Sequence, residues 1–189
     1  MRISLKYALN KSKIEKAVEI GVRDGRNAKE MLESGIKELV LIDSYLPYKV
    51  WGFRNGNVAV EDALEVTREQ QNEYKREMLC RLALYGDRIN ILNTTSEQAA
   101  PLFPDQSFDY VYVDGNHKYE SVKKDLELWF SKVKKGGTFA GHDFNKPHLG
   151  VAKAVLEFSK EHNLKVIIIK QSKDWVKNYQ ISDWWINCV

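Results

Sequence analysis

The sequence has little of several features that define large protein classes. Its 189 residues include two cysteines, Cys80 and Cys188, which lie far apart and form no Cys-x-x-Cys or other metal spacing. A disulfide-stapled or zinc-ribbon architecture is thereby excluded, and a reducing, cytoplasmic setting is expected. No run approaches the roughly 18 uninterrupted apolar residues of a membrane-spanning helix. The first residues alternate basic and apolar types without a long apolar core, so no signal peptide is expected. An excess of one charge is lacking too: 29 basic against 26 acidic side chains give +3. That field is too slight to recruit nucleic acid or an anionic membrane.

What is present is an ordinary globular composition, 43% hydrophobic and 29% charged, on a chain long enough for one domain spanning 1–189. Apolar runs alternate with amphipathic stretches from about residue 17 onward, the pattern of βαβ units and a mostly parallel sheet. The expected strands are Ala17–Gly21, Glu38–Asp43, Ile89–Leu92, Tyr110–Asp114, Gly137–Gly141, Lys165–Lys170 and Asp183–Val189. The expected helices are Asn27–Ser34, a long one inside Ala59–Leu84, a short one from Ser96, Tyr119–Val133 and Gly150–His162. Val122, Leu126, Trp129, Phe130 and Val133 share one face at the 3.6 period, and Gly136-Gly137 marks the stop. Gln171 to Ser182 offers no crossover helix, so the last two strands read as antiparallel. Pro47–Asn57 reads as an irregular loop overhanging the crevice, either a solvated surface segment or a lid. Little chain precedes the first strand, so an N-terminal helical cover is expected to be short or missing.

Ligands of open α/β sheets bind beyond the carboxyl ends of the strands, where the strand order reverses. Glu19-Ile-Gly21-Val-Arg-Asp-Gly25 stands at such an end, with Asn27 available as an N-cap for the following helix. A dinucleotide site wants GxGxxG; here the spacing is GxxxG, and the acidic Glu19 would repel a pyrophosphate. Glu19 suits a ligand bearing an ammonium group or other positive charge. Asp43 ends the second strand about 20 residues on, where a carboxylate can accept both ribose hydroxyls. The two together point to an adenosine-containing cofactor.

From about Lys16 the chain resembles the class I S-adenosylmethionine-dependent methyltransferases, and most nearly the small macrocin O-methyltransferase-like branch with EIGxxxG, IDGxHxYExVxxDL and GGxxxxHD. The matching residues are Glu19, Gly21 and Gly25; Asp114, Gly115, His117, Tyr119, Glu120 and Asp125; Gly136, Gly137, His142 and Asp143. The resemblance implies a Rossmann-like α/β sandwich with a mostly parallel seven-stranded sheet and one antiparallel strand near the edge. It implies S-adenosylmethionine as cofactor, with Glu19 to Gly25 around the methionine part and Asp43 on the ribose. Thr95 and Ser96 would lie by the adenine and Asp114 would approach the cofactor amino group. Many relatives have Gly-Asp-Ser where this chain has Thr94-Thr95-Ser96, so the acidic contact to the adenine amine is missing.

Methyl transfer from a sulfonium needs alignment above all, and an alcohol acceptor also needs its proton removed. Asp114, His117, His142 and Asp143 are the groups available. Either Asp114, His142 and Asp143 hold a Mg²⁺ that acidifies a substrate hydroxyl, or His142 or His117 acts directly as base. An imidazole in place of a second acid counts against an oxygen-loving cation. Trp175, Tyr179, Trp184 and Trp185 form either a substrate wall or a homodimer surface, with alternation placing at least one ring in the core. The expected activity is O-methylation of a small hydroxylated molecule, a sugar or natural-product scaffold. No NPPY-type segment or basic stripe suggests a nucleic-acid substrate. The alternatives are a non-catalytic S-adenosylmethionine-binding protein and an NAD-dependent oxidoreductase.

Overall fold

A computed structural model describes residues 1–54, 58–145, 148–174 and 179–188, with side chains outside 50–64 and 170–181. In chain order the first elements are α1 (Ile3–Lys11), β1 (Lys16–Ile20), α2 (Arg26–Glu33), β2 (Glu38–Ile42), β3 (Tyr48–Arg54), β4 (Val58–Val66) and α3 (Arg68–Leu82). There follow β5 (Ile89–Leu92), α4 (Ser96–Ala99), β6 (Phe108–Val113), α5 (Tyr119–Trp129), β7 (Val133–Gly141), α6 (Leu149–Glu161), β8 (Val166–Asp174) and β9 (Tyr179–Asn187). One seven-stranded sheet runs β5-β2-β1-β6-β7-β9-β8. The first five are mutually parallel, and β9 pairs antiparallel with both β7 and β8. The order reverses between β1 and β6, which places the ligand crevice beyond their carboxyl ends.

Strand alternation sends side chains to two cores, one on each face of the sheet. Val18, Ile20, Val111, Val113, Phe139 and Trp184 pack with α5 and α6 residues such as Leu126, Trp129 and Phe158. Ala17, Leu39, Tyr110, Tyr112 and Trp185 pack with Leu5 and Ala8 of α1, Met31 of α2 and Met78 of α3. The result is an α/β sandwich, with helices on both faces of a mostly parallel sheet. Because Glu19 alternates with Val18 and Ile20, it shares the Ala17 face and is only 1% exposed.

The structure corrects two expectations and sharpens two others. The long helix expected inside Ala59–Leu84 is α3, and the stretch 58–66 ahead of it is a strand that pairs antiparallel with β3 in a separate two-stranded sheet. Val58, Val60, Leu64 and Val66 keep a period of two, and α3 begins only at the Thr67–Gln70 capping box. Pro47–Asn57 is therefore largely strand rather than loop, with 55–57 outside the described residues. The helical cover before β1 is short, as expected, but present: the nine residues of α1 bury Ser4, Leu5 and Ala8. Trp184 and Trp185 are both completely buried, one in each core, so neither forms a substrate wall or a dimer surface. Trp175, the Tyr179 side chain and Val189 lie outside the described residues. Among the described residues no helix is long and apolar enough to cross a membrane.

Candidate active site

The turn after β1 is shaped by its neighbours. Gly21 has φ +84°, and a Cβ there would lie 2.3 Å from the Asp114 carbonyl oxygen. Only glycine lets the ends of β1 and β6 meet this closely. α2 starts at Arg26 with Gly25 in the left-handed conformation as N-cap. Asn27 is not the cap: its Nδ2 donates to Glu19 Oε1 at 2.9 Å. Glu19 Oε2 is buried without a hydrogen-bond partner. Burial pushes the Glu19 carboxyl up to about 8, partly offset by the Asn27 bond and raised further by Asp114. The carboxyl is thus poised for a cationic partner, which would supply the missing donors.

Asp43, at the end of β2, holds this turn in place. Its Oδ2 accepts the Val22 and Arg23 N–H groups at 2.9 Å each, and its Oδ1 accepts the Tyr45 N–H at 2.9 Å. Arg23 and Tyr45 both have positive φ, +52° and +48°, so the two segments joined by this carboxylate carry backbone strain. A carboxylate has about four lone-pair sites, which leaves one open beyond these three contacts. Thr95 is committed as the N-cap of α4, accepting the Gln98 N–H at 3.3 Å. Ser96 Oγ bonds to Asp125 Oδ1 of α5. Burial pushes Asp125 up to about 6, against the Ser96 bond. An acid does therefore reach the segment after β5, but it comes from α5.

The ends of β6 and β7 gather the remaining candidates. His117 Nε2 lies 3.2 Å from Asp143 Oδ2 and 3.7 Å from Asp114 Oδ1. His142 Nδ1 lies 3.3 Å from the same Asp143 oxygen. Asp143 itself has φ +57°, a strained position for a non-glycine residue. Three groups outside the sequence motifs complete the cluster. Arg2 donates to Asp114 Oδ2 at 3.1 Å and bonds to His142 Nε2. His148 Nε2 stands 3.7 Å from Asp143 Oδ1. Asp183 of β9, fully buried, accepts from Ser4 N at 3.0 Å and Ser4 Oγ at 2.8 Å, and so anchors α1 beneath Arg2. The one legible hint was an acid beside two tryptophans in an apolar strand.

Electrostatics follow from this crowding. Burial lowers the His117 and His142 pKa values, but Asp114 and Asp143 outweigh it, so both end above the ordinary imidazole value. Arg2 opposes the rise at His142. A guanidinium only donates, so the contacting Nε2 carries the lone pair and Nδ1–H points to Asp143. Burial pushes His148 down to about 4. Burial alone would raise Asp143, yet its His142 bond and three facing imidazoles hold it far below the usual carboxylate range.

Residues 18–144, about two-thirds of the chain, match a family model described as a methyltransferase domain. The chain belongs to this methyltransferase family.

Solved structures agree with the fold of this methyltransferase. An O-methyltransferase from Bacillus cereus in complex with SAH is 10% identical, with 97% of this chain and 78% of that one covered and a TM-score of 0.66. The O-methyltransferase TomG of tomaymycin synthesis from Streptomyces achromogenes, in complex with SAM, is 14% identical, covering 98% and 78%, with a TM-score of 0.63. An rRNA methylase from Streptococcus thermophilus is 10% identical, covering 99% and 95%, with a TM-score of 0.66. The sequence has no match among curated proteins.

A Mg²⁺ ion fits this methyltransferase poorly. Donor atoms of Asp114, His142 and Asp143 lie within 4.8 Å of one another. One donor is an imidazole, which an oxygen-seeking ion disfavours. Arg2 already bonds two of the three, so an entering dication would have to expel a guanidinium.

Proposed function

We propose that this methyltransferase uses S-adenosylmethionine to methylate an oxygen of a small hydroxylated molecule. The observation that carries the reading is Glu19, a buried carboxyl with an open oxygen at the reversal of strand order. An ammonium-bearing ligand satisfies that oxygen, whereas a pyrophosphate does not. Asp43 would keep the β1 turn closed and offer its remaining lone pair to the ribose. Asp114, across the turn from Glu19, would share the cofactor ammonium. The Asp125–Ser96 pair would stand at the adenine end.

When bound, the cofactor supplies an electrophilic methyl group and its own leaving group. The chain's task is then to orient the acceptor and take its proton. His142 is the base in this reading. Asp143 fixes its Nδ1–H and steadies the imidazolium that forms, leaving Nε2 to accept the hydroxyl proton. Arg2 covers Nε2 in this geometry, so the acceptor oxygen takes the place of the guanidinium. His117 would assist through the same carboxylate. The slight net charge favours a small neutral acceptor over RNA.

Isothermal titration with S-adenosylmethionine and S-adenosylhomocysteine tests the cofactor. Asp43→Ala, which frees three N–H groups of the turn and its surroundings, should weaken binding at least about tenfold, the equivalent of one hydrogen bond to a charged group. A folded wild-type protein that binds neither compound overturns the proposal. With binding established, a screen of hydroxylated acceptors reads turnover, and His142→Gln should abolish it.

A further inference from the structure

The chain contains four histidines, and three of them, His117, His142 and His148, converge on the single carboxylate of Asp143. Arg2 bonds to His142 and to Asp114, both members of the other donor set. His117 follows β6 and His148 precedes α6, and their rings meet edge to face with centroids 4.3 Å apart. One donor atom each from His117, Asp143 and His148 lie within 4.8 Å of one another.

We propose that His117, Asp143 and His148 form a binding site for a divalent transition-metal ion of the zinc class, distinct from the Asp114–His142–Asp143 set with which it shares Asp143. Two imidazoles and one carboxylate are a donor set that suits such ions and leaves coordination positions open. Bonds of about 2.0–2.1 Å in a tetrahedron put neighbouring donors roughly 3.3 Å apart. The His117 Nε2 and Asp143 Oδ2 atoms are 3.2 Å apart, and His148 Nε2 is 3.7 Å from Asp143 Oδ1.

The surroundings hold these donors in place. Asn145 Nδ2 donates to Asp143 Oδ1 at 3.0 Å, and Asn145 Oδ1 accepts the His148 N–H at 3.1 Å. One amide thereby fixes two of the three donors, as supporting residues around metal ligands commonly do. Gly150 ties the third: a Cβ there would lie 2.7 Å from the His117 carbonyl oxygen, so the start of α6 is pressed against the His117 backbone. His148 is buried, and His117 Nε2 is itself buried without a hydrogen-bond partner, so an ion would supply the contact this atom lacks. Three protein ligands leave a fourth position for water or another oxygen ligand.

The test uses metal alone and needs no turnover, so its result is independent of the methyl-transfer reading. Full-length protein freed of metal is titrated with Co²⁺ by visible absorption and with Zn²⁺ by competition against a chromophoric chelator. One equivalent should bind with the intense absorption of a four-coordinate ion, and excess Mg²⁺ should not displace it. His148→Gln and the more exposed His117→Gln should each weaken binding at least about 100-fold, more than loss of a supporting residue costs. His142→Gln should retain it, with circular dichroism confirming the fold of each variant. Absence of stoichiometric binding overturns the proposal. Equal binding by folded His148→Gln and His117→Gln does so too, and loss confined to His142→Gln would move the ion to the other set.

Discussion

Glu19→Gln separates stability from ligand binding at one side chain. The native carboxyl keeps its proton up to about 8, whereas the unfolded chain loses it near 4.5. Between those values the native state binds the extra proton, so stability falls as pH rises and levels off above about 8. At 1.36 kcal/mol per pH unit, the full ionisation penalty is about 4–5 kcal/mol. About 1.4 kcal/mol of it is already present near pH 5.5, which leaves about 3 kcal/mol to develop by pH 8. Glutamine cannot ionise, and its amide can still accept the Asn27 bond. Its second polar atom replaces the unpartnered Oε2, a cost of roughly 1–3 kcal/mol that does not vary with pH. The readout is therefore the change in the gap between variant and wild type. Thermal unfolding followed by circular dichroism should show Glu19→Gln gaining about 6–12 °C on wild type between about pH 5.5 and pH 8. Parallel pH profiles for the two proteins would refute the assignment of a raised native pKa to Glu19. The same variant should bind S-adenosylmethionine poorly. Wild-type binding should release one proton below about pH 8 and weaken about tenfold per pH unit toward acid, measured by titration in buffers of different ionisation enthalpy.

Two other perturbations probe the neighbouring groups. Arg2→Ala removes a cation that opposes protonation of His142, so the His142 pKa should rise further, measured by histidine ring NMR titration; a fall would mean that lost shielding outweighs lost repulsion. Gly21→Ala puts a Cβ 2.3 Å from a backbone oxygen at φ +84°, and should lower stability by more than about 3 kcal/mol in urea unfolding; a change below about 1 kcal/mol would show that the β1 and β6 ends separate easily.

The sequence by itself determined the sheet. Its apolar runs were long enough to mark each of the seven strands within a few residues, because a strand buried on both faces leaves an unbroken apolar signature. The polar stretch before WWINCV also disclosed the reversed strand, since no crossover helix fits there. The β3–β4 hairpin was hidden because the acidic residues of VAVEDALEV suit an amphipathic helix as well as a strand, and pairing decided between them. Within the site, Asp114, His117, His142 and Asp143 could be placed together because each follows directly on a strand end, and the parallel sheet brings those ends to one edge.

Tertiary structure alone decided what surrounds them. Arg2 reaches His142 and Asp114 across 140 and 112 residues, and Asp183 reaches Ser4 across 179. Such contacts leave no periodicity or spacing to read. Glu19 was legible as an acid beside the turn, but its raised pKa depends on how completely α1 and α2 shut it off from water. Asp43 was read as a ribose ligand, and folding gave it the additional task of holding three N–H groups of strained backbone. His148 had no pattern to announce it, since only the packing of α6 against the His117 backbone brings it to Asp143. Local chemistry fixed where reactive residues emerge from the sheet; burial and long-range pairing fixed their charge and their partners.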